Sequence, residues 1–138
     1  MKTLPATPDA PLIRTDFSND DLWHQVCARV QEPVGDMKFF ANVTPVDDKA
    51  FEGLTAEQVL DLLPKDNDHA LVILFDHTSV ISAAHHLAVV DLSDEPGRVL
   101  RVAPADIQSI ENNLSIANMD FEEFAENVDA EGVFIPFD

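Results

Sequence analysis

The run ENNLSIANMDFEEF, residues 111–124, concentrates the polar side chains of this chain that could carry chemistry. Amide groups can hold a ligand or form half of an oxyanion hole, and carboxylates can meet a cationic partner. Covalent catalysis would also need an activated nucleophile, and none lies near in sequence, so we predict no catalytic residue. The candidate residues for binding a partner or a ligand are Glu111, Asn112, Asn113, Ser115, Asn118, Glu122, Glu123 and Glu126.

The same run also has a purely structural interpretation, which we favour. Asp120 and Glu123 have the spacing of a capping box at the start of a helix. Residues 114–116 alternate like a short extended link between two helices. Asn113 and Asn118 would then lie at the two ends of that link, where asparagine tolerates the left-handed conformation and bonds nearby backbone.

Other residue clusters give weaker signals for chemistry. His77, His85 and His86 lie around the segment DHTSVISAAHH, but their spacing matches no zinc signature, so we predict a loop cluster without a metal. No glycine-rich phosphate loop is present, and we predict no cofactor. Cys27, the single cysteine, falls on the apolar stripe of the first predicted helix and is predicted to be a small core residue.

The charge of the chain is its largest departure from average composition. Its 26 acidic residues against 8 basic ones give a net charge of −18, and no lysine or arginine follows Arg101. Nucleic-acid binding depends on basic side chains that displace counterions from phosphates. The sequence therefore argues against direct binding to nucleic acid or to anionic lipid. It is compatible with simple solubility or with a basic protein partner.

The predicted location is the cytoplasm. The N-terminal residues have no apolar signal-peptide core, and residues 1–10 are predicted to form a disordered tail. The longest apolar run, residues 70–75, is much shorter than the roughly 20 residues that span a bilayer. We expect no membrane association, and a single domain over residues 11–138.

Hydrophobic periodicity and turn residues predict ten elements. The strands are 12–16, 37–46, 70–75, 87–92, 99–102 and 133–137, and the helices begin at Ser18, Thr55, Pro104 and Asp120, the last of them running to Val128. Pro45 and Pro136 place their strands at sheet edges. The order β-α-β-α-β-β-β-α-α-β predicts an α/β single-domain sandwich with a mixed β-sheet.

Several segments together resemble a family of small acidic bacterial proteins known only as a domain of unknown function. They are the turn 94–98, the strand 101–104 and the run 111–125, with further similarity in LIRTDFSNDDLW and FEGLTAEQVLDLLP. The resemblance covers most of the chain after the N-terminal tail. It implies a shared fold and a bacterial, intracellular origin, and it implies no activity, cofactor or catalytic residue.

Two functions follow from these observations, and the sequence leaves both open. The first is a non-catalytic protein-interaction or regulatory domain whose acidic helix meets a basic partner. The alternative is a small-ligand-binding protein or enzyme with a polar pocket around residues 112–118. The chain would act as a monomer or a homodimer, since its closing strand could cover a sheet edge or supply a partner surface.

Overall fold

A five-stranded sheet lies at the centre of the computed structural model, which describes residues 2–137. The strands are Ala10–Arg14 (β1), Val43–Val46 (β2), Leu71–Phe75 (β3), Leu87–Asp91 (β4) and Val99–Val102 (β5). The helices are Asp20–Gln31 (α1), Ala56–Leu62 (α2), His77–Ile81 (α3), Ile107–Ser115 (α4) and Phe121–Ala125 (α5). These elements confirm the predicted α/β class.

The order of the strands across the sheet is β2-β1-β3-β4-β5, and the sheet is mixed as predicted. β1 runs parallel to both β2 and β3, whereas β3, β4 and β5 are successively antiparallel. α1 connects β1 to β2, which lies on one side of β1 in the sheet. α2 then connects β2 to β3, which lies on the other side of β1. Because both parallel crossovers are right-handed by rule, such opposite steps place the two helices on opposite faces of the sheet.

Each face of the sheet has its own core. α1, α4 and α5 cover the larger core, where the rings of Trp23 and Phe75 meet edge to face with centroids 5.3 Å apart. α2, the 3-10 turn Lys49–Phe51 and the N-terminal segment cover the smaller core on the other face. Burial of these apolar side chains is the main force that holds the sandwich together.

Local signals in the sequence correctly located several helix starts. Thr55 and Gln58 form the predicted capping box at the start of α2, with hydrogen bonds of 3.2 and 2.9 Å. Pro104 begins a 3-10 turn that leads into α4, where its missing N–H costs nothing. Pro45 lies in β2, which is an edge strand as predicted.

One predicted strand is longer than the strand observed, and another is wrong. Only Val43–Val46 of the strand predicted over 37–46 pairs with the sheet, because Lys38 adopts a φ of 54° in a turn between Val34 and Phe39. Of residues 133–137, only Val133 and Phe134 form bridges, each an isolated one, and the segment is not a strand. The N–H of Phe134 still donates to the carbonyl of Arg101 at 2.8 Å, so this segment covers part of the free edge of β5.

Helix boundaries also differ from the predictions. α1 is capped by Asn19, whose side chain accepts the N–H of Leu22, while Ser18 instead donates its hydroxyl to Asp16. α5 ends at Ala125, before the predicted Val128. The histidine segment predicted as a loop begins with α3, because Asp76 and Ser79 form a capping box there.

The N-terminal segment contacts the smaller core, and its predicted disorder stays a prediction. Leu4 is buried, and its N–H donates to the carbonyl of Leu62 at 2.8 Å. We expect Leu4→Ala to lower the free energy of unfolding by about 1.5 kcal/mol, below the range for a rigid core site because the segment can detach. Urea denaturation measures this. An unchanged midpoint would show that residues 2–9 are disordered in solution.

Candidate functional site

Glu111, a predicted contact residue, is buried in the structure. Its carboxylate accepts the N–H of Asn42 at 2.6 Å, the side-chain amide of Asn112 at 2.9 Å and the hydroxyl of Ser115 at 2.5 Å. Only 2% of the Glu111 surface is exposed. This carboxylate therefore joins α4 to the loop that precedes β2.

The amides of the predicted polar pocket also bind within the protein. Asn112 donates to the carbonyl of Phe40, Asn113 donates to the carbonyl of Ser109, and Asn118 donates to the side chain of Asn113. The extended link predicted over 114–116 is wrong, because α4 continues through Ser115. The five best-formed pockets among the described residues are lined by residues other than Asn112, Asn113, Ser115 and Asn118.

The left-handed residue at the end of α4 is Ala117, with a φ of 55°, and not an asparagine. The apolar period of Ile107, Ile110 and Leu114 already indicated a helix that extends this far. Asn113 consequently lies inside α4, where its amide bonds the preceding turn of the helix.

The remaining candidates belong to an exposed group of carboxylates that we call the acidic face. Two distant segments converge there, since the N–H of Phe121 in α5 approaches a carboxylate oxygen of Asp94 in the β4–β5 turn at 3.4 Å. Arg98 lies beside this surface, 3.5 Å from Glu95. The acidic face comprises Asp94, Glu95, Asp120, Glu122, Glu123 and Glu126, all of them exposed.

Exposed apolar side chains lie in the C-terminal segment, which packs on α5. Phe137 is 48% exposed and packs on Phe124 of α5 with ring centroids 5.7 Å apart. Ile135 is also about half exposed. Carboxylates beside exposed aromatic and aliphatic groups resemble the polar rim and apolar centre of a protein interface.

A second feature is a crevice at the carboxyl ends of β1 and β3. In an open α/β sheet, ligands bind outside the carboxyl ends of the strands at the point where successive connections run in opposite directions. The strand order places that point between β1 and β3. A pocket of about 390 Å³ lies there, and its polar residues are Thr15, Asp16, Thr55, Asp76, His77, Thr78 and Arg101.

An ion pair closes one side of the crevice. Arg101 of β5 donates from both terminal nitrogens to the two carboxylate oxygens of Asp76, each at 2.8 Å. Burial by itself raises the pKa of Asp76, but the hydrogen bonds and charge of Arg101, with bonds from Ser79, outweigh it and lower the pKa below its usual value. Asp76 is therefore an anion at neutral pH.

Asp16 and His77 stand on another side of the crevice. Asp16 accepts the backbone N–H of Ser18 at 2.8 Å and its hydroxyl at 2.5 Å, and the imidazole of His77 lies 3.4 Å away. Burial raises the pKa of Asp16, while the bonds from Ser18 and the contact with His77 together lower it below its usual value. Asp16 is thus also ionised and already bonded.

Sequence reasoning missed the crevice because its walls come from five separate segments. The signal that could have indicated it is the pair of polar runs that follow two buried parallel strands, RTD at residues 14–16 and DHTS at residues 76–79. Parallel strands bring their carboxyl ends to one edge of a sheet, so these runs had to meet.

The cysteine and the histidines have other surroundings. Burial raises the pKa of the Cys27 thiol to about 12, so it stays protonated and packs as the predicted core residue. His85 adopts a φ of 54° and its ring bonds the carbonyl of Ser79. Within residues 2–137, no three histidine, cysteine or carboxylate side chains are grouped closely enough to hold a metal ion.

Comparisons with known proteins assign the chain to a family. Among the described residues, the helices are all too short or too polar to cross a bilayer. A search of curated proteins finds no significant match. A family model matches residues 9–137, nearly the whole chain, and its description is a domain of unknown function, DUF6924. The expected family resemblance is confirmed, and the chain belongs to the DUF6924 family.

Proposed function

We propose that this chain is a non-catalytic protein-interaction or regulatory domain whose acidic face binds a basic protein. The observation that carries the proposal is the convergence of α5 with the β4–β5 turn, which concentrates exposed carboxylates beside one arginine. Opposite charges across an interface accelerate association and select the partner. The net charge of −18 extends this attraction over the whole surface of the domain.

The exposed apolar side chains beside α5 specify the partner further. Phe137 and Ile135 would supply the apolar centre of an interface, and the carboxylates its rim. A basic amphipathic segment, with lysine or arginine flanking apolar residues, matches this arrangement. A second copy of this chain matches it poorly, since two such acidic faces repel each other.

Charge reversal on α5 tests this proposal. Glu122 and Glu126 are exposed, and their side chains take no part in the capping box of the helix. We expect the E122K/E126K double variant to bind a basic amphipathic peptide at least about tenfold more weakly than the unaltered protein. Fluorescence anisotropy with a labelled peptide, repeated at rising salt concentrations, measures the affinity and its electrostatic part.

The matched control places the same charge change on α2. Glu57 and Asp61 are also exposed helix residues, and they lie on the opposite face of the sheet. The E57K/D61K variant should retain affinity within about threefold, because it makes the same change in net charge on a helix that is not part of the acidic face. Equal losses in the two variants would mean that net charge alone drives binding, and the proposal of a defined face would fail.

A further inference from the structure

We propose that a groove on the smaller-core face of the sheet binds an extended basic segment of a partner protein. In the structure this groove holds residues 2–7 of the chain itself, which we call the strap. The groove and α5 lie on opposite faces of the sheet. The inference therefore does not depend on the partner proposed for the acidic face, and it describes a second interaction surface.

The strap is held as a bound peptide is held, through one buried side chain and a few hydrogen bonds. Leu4 is 4% exposed and packs in the smaller core. Its N–H donates to the carbonyl of Leu62 at 2.8 Å, at the end of α2, where a helix leaves carbonyls without partners. The Nε2 of His69 bonds the carbonyl of Thr7 at 2.9 Å. The groove therefore recognises an apolar side chain and backbone groups, which other extended segments also carry.

The groove also favours a cation two residues before the leucine. Lys2 pairs with Asp48, and its ammonium lies 5.9 Å from the centre of the Phe51 ring. Alternate side chains of an extended chain point to the same side, so the lysine and the leucine can both face the groove. The net charge of −18 adds a long-range attraction for a basic segment.

The strap leaves part of the groove unfilled. A cavity of about 200 Å³ remains between Ala6 of the strap and the loop at residues 63–69. Asp66 and Asp68 line this cavity, and the ion pairs formed within residues 2–137 leave both carboxylates without a cation. An arginine in the place of Ala6 has the length and the charge to meet them. The ligand that fits best thus carries lysine, leucine and arginine at alternate positions.

The family match separates the groove from its occupant. The match covers residues 9–137, which include Asp48, Leu62 and His69, whereas the strap lies outside it. The groove is therefore part of the domain that the family shares, and the strap is what occupies it in this chain. An occupant from the same molecule lowers the apparent affinity for a partner, because only molecules with an open groove can bind. A better-fitting segment displaces the strap.

Peptide titration of a variant with an open groove tests the inference. The probe is the peptide KTLPRTP, which is residues 2–8 with Ala6→Arg, and amide NMR spectra of the full chain follow its binding. In the Leu4→Asp chain the strap would have to bury a charge, so it should detach. We expect saturable shifts at Leu63 and His69, with a Kd on the order of 0.1–1 mM. The unaltered chain should bind at least about tenfold more weakly, because its strap competes.

Lys2→Glu opens the groove without touching the core. It replaces the exposed pair with Asp48 by a repulsion, and Leu4 keeps its side chain. The Lys2→Glu chain should bind the peptide about threefold more tightly than the unaltered chain. If Leu4→Asp does not fold, this variant decides.

Matched peptides and variants locate the contacts. In an open chain, aspartate in place of the peptide's leucine should weaken binding at least about tenfold, and glutamate in place of its arginine should do the same. Adding D66N/D68N should reduce the difference between the arginine and glutamate peptides to about threefold. Adding D36N/E131Q changes the net charge equally at exposed residues outside the groove and the acidic face, and should leave that difference unchanged.

Several results would overturn the inference. Absence of saturable shifts in both open variants at up to about 10 mM peptide would remove the site. Equal affinities of the open and unaltered chains would place the peptide outside the groove, and equal affinities for the arginine and glutamate peptides would remove the basic partner. A dimer of the unaltered chain that Leu4→Asp abolishes, measured by light scattering, would assign the groove to an exchange of straps between copies.

Discussion

Arg101→Gln is expected to lower the free energy of unfolding by about 2.5 kcal/mol at pH 7, because it leaves the carboxylate of Asp76 without its paired cation. The two side chains are 27% and 23% exposed, so the loss should fall just below the range of about 3–5 kcal/mol for fully buried pairs. The fold around Asp76 should persist, since Ser79 still bonds that carboxylate. Urea denaturation at pH 7 measures the change.

The effect of Arg101→Gln should depend on pH in a defined direction. The folded-state pKa of Asp76 is lowered, so the stabilisation by Arg101 is fully present above the unfolded-state value of about 3.8. It is lost as the pH falls through the lower folded-state pKa. The stability difference between the two proteins should therefore be constant near neutral pH and should shrink in acid below that value.

Two further variants separate the buried charge from other effects of the substitution. The D76N/R101Q double variant should recover about half of the lost stability, because asparagine is neutral and still caps a helix. Arg98→Gln removes the exposed pair with Glu95 and should cost less than about 0.5 kcal/mol. If Arg101→Gln were as mild as Arg98→Gln, the Asp76 pair would not be a structural element.

The features of the fold that could be predicted are those that a few neighbouring residues determine. The capping box of Thr55 and Gln58 depends only on residues within one helical turn. The continuous apolar run 71–75 indicates a strand that is buried on both faces. The hairpin of β4 and β5 follows from the turn chemistry of Pro96 and Gly97. These signals sufficed for the α/β class and for the mixed sheet.

The features that could not be predicted depend on contacts between distant segments. Val133 and Phe134 belong to an apolar run typical of a strand, but they pair only through isolated bridges, with Arg101 of β5 and with Val128. The crevice needs Ala88 to lie between Leu74 and Arg101, and that register appears only when three strands pair. The exposed α5 carboxylates were recognisable as polar, yet their meeting with Asp94 depends on how the turn packs.

The burial of Glu111 also could not be predicted from the sequence. A glutamate on a helix is expected to be exposed, and its bonding partner, the loop at residues 40–42, is distant in sequence. We expect Glu111→Ala to lower the free energy of unfolding by about 2 kcal/mol, because Asn42 and Ser115 lose the acceptor for their donors. Glu111→Gln keeps an acceptor oxygen for Asn42 and should cost about half as much.

Hydrogen exchange should locate the damage caused by Glu111→Ala. The amide of Asn42 donates directly to this carboxylate, so its exchange should accelerate, while the amides of β3 should exchange only as fast as the global loss of stability requires. A contact residue for a partner would behave differently. If Glu111→Ala kept its stability within about 0.5 kcal/mol and lost only affinity for a basic peptide, the buried carboxylate would belong to the binding surface and not to the fold.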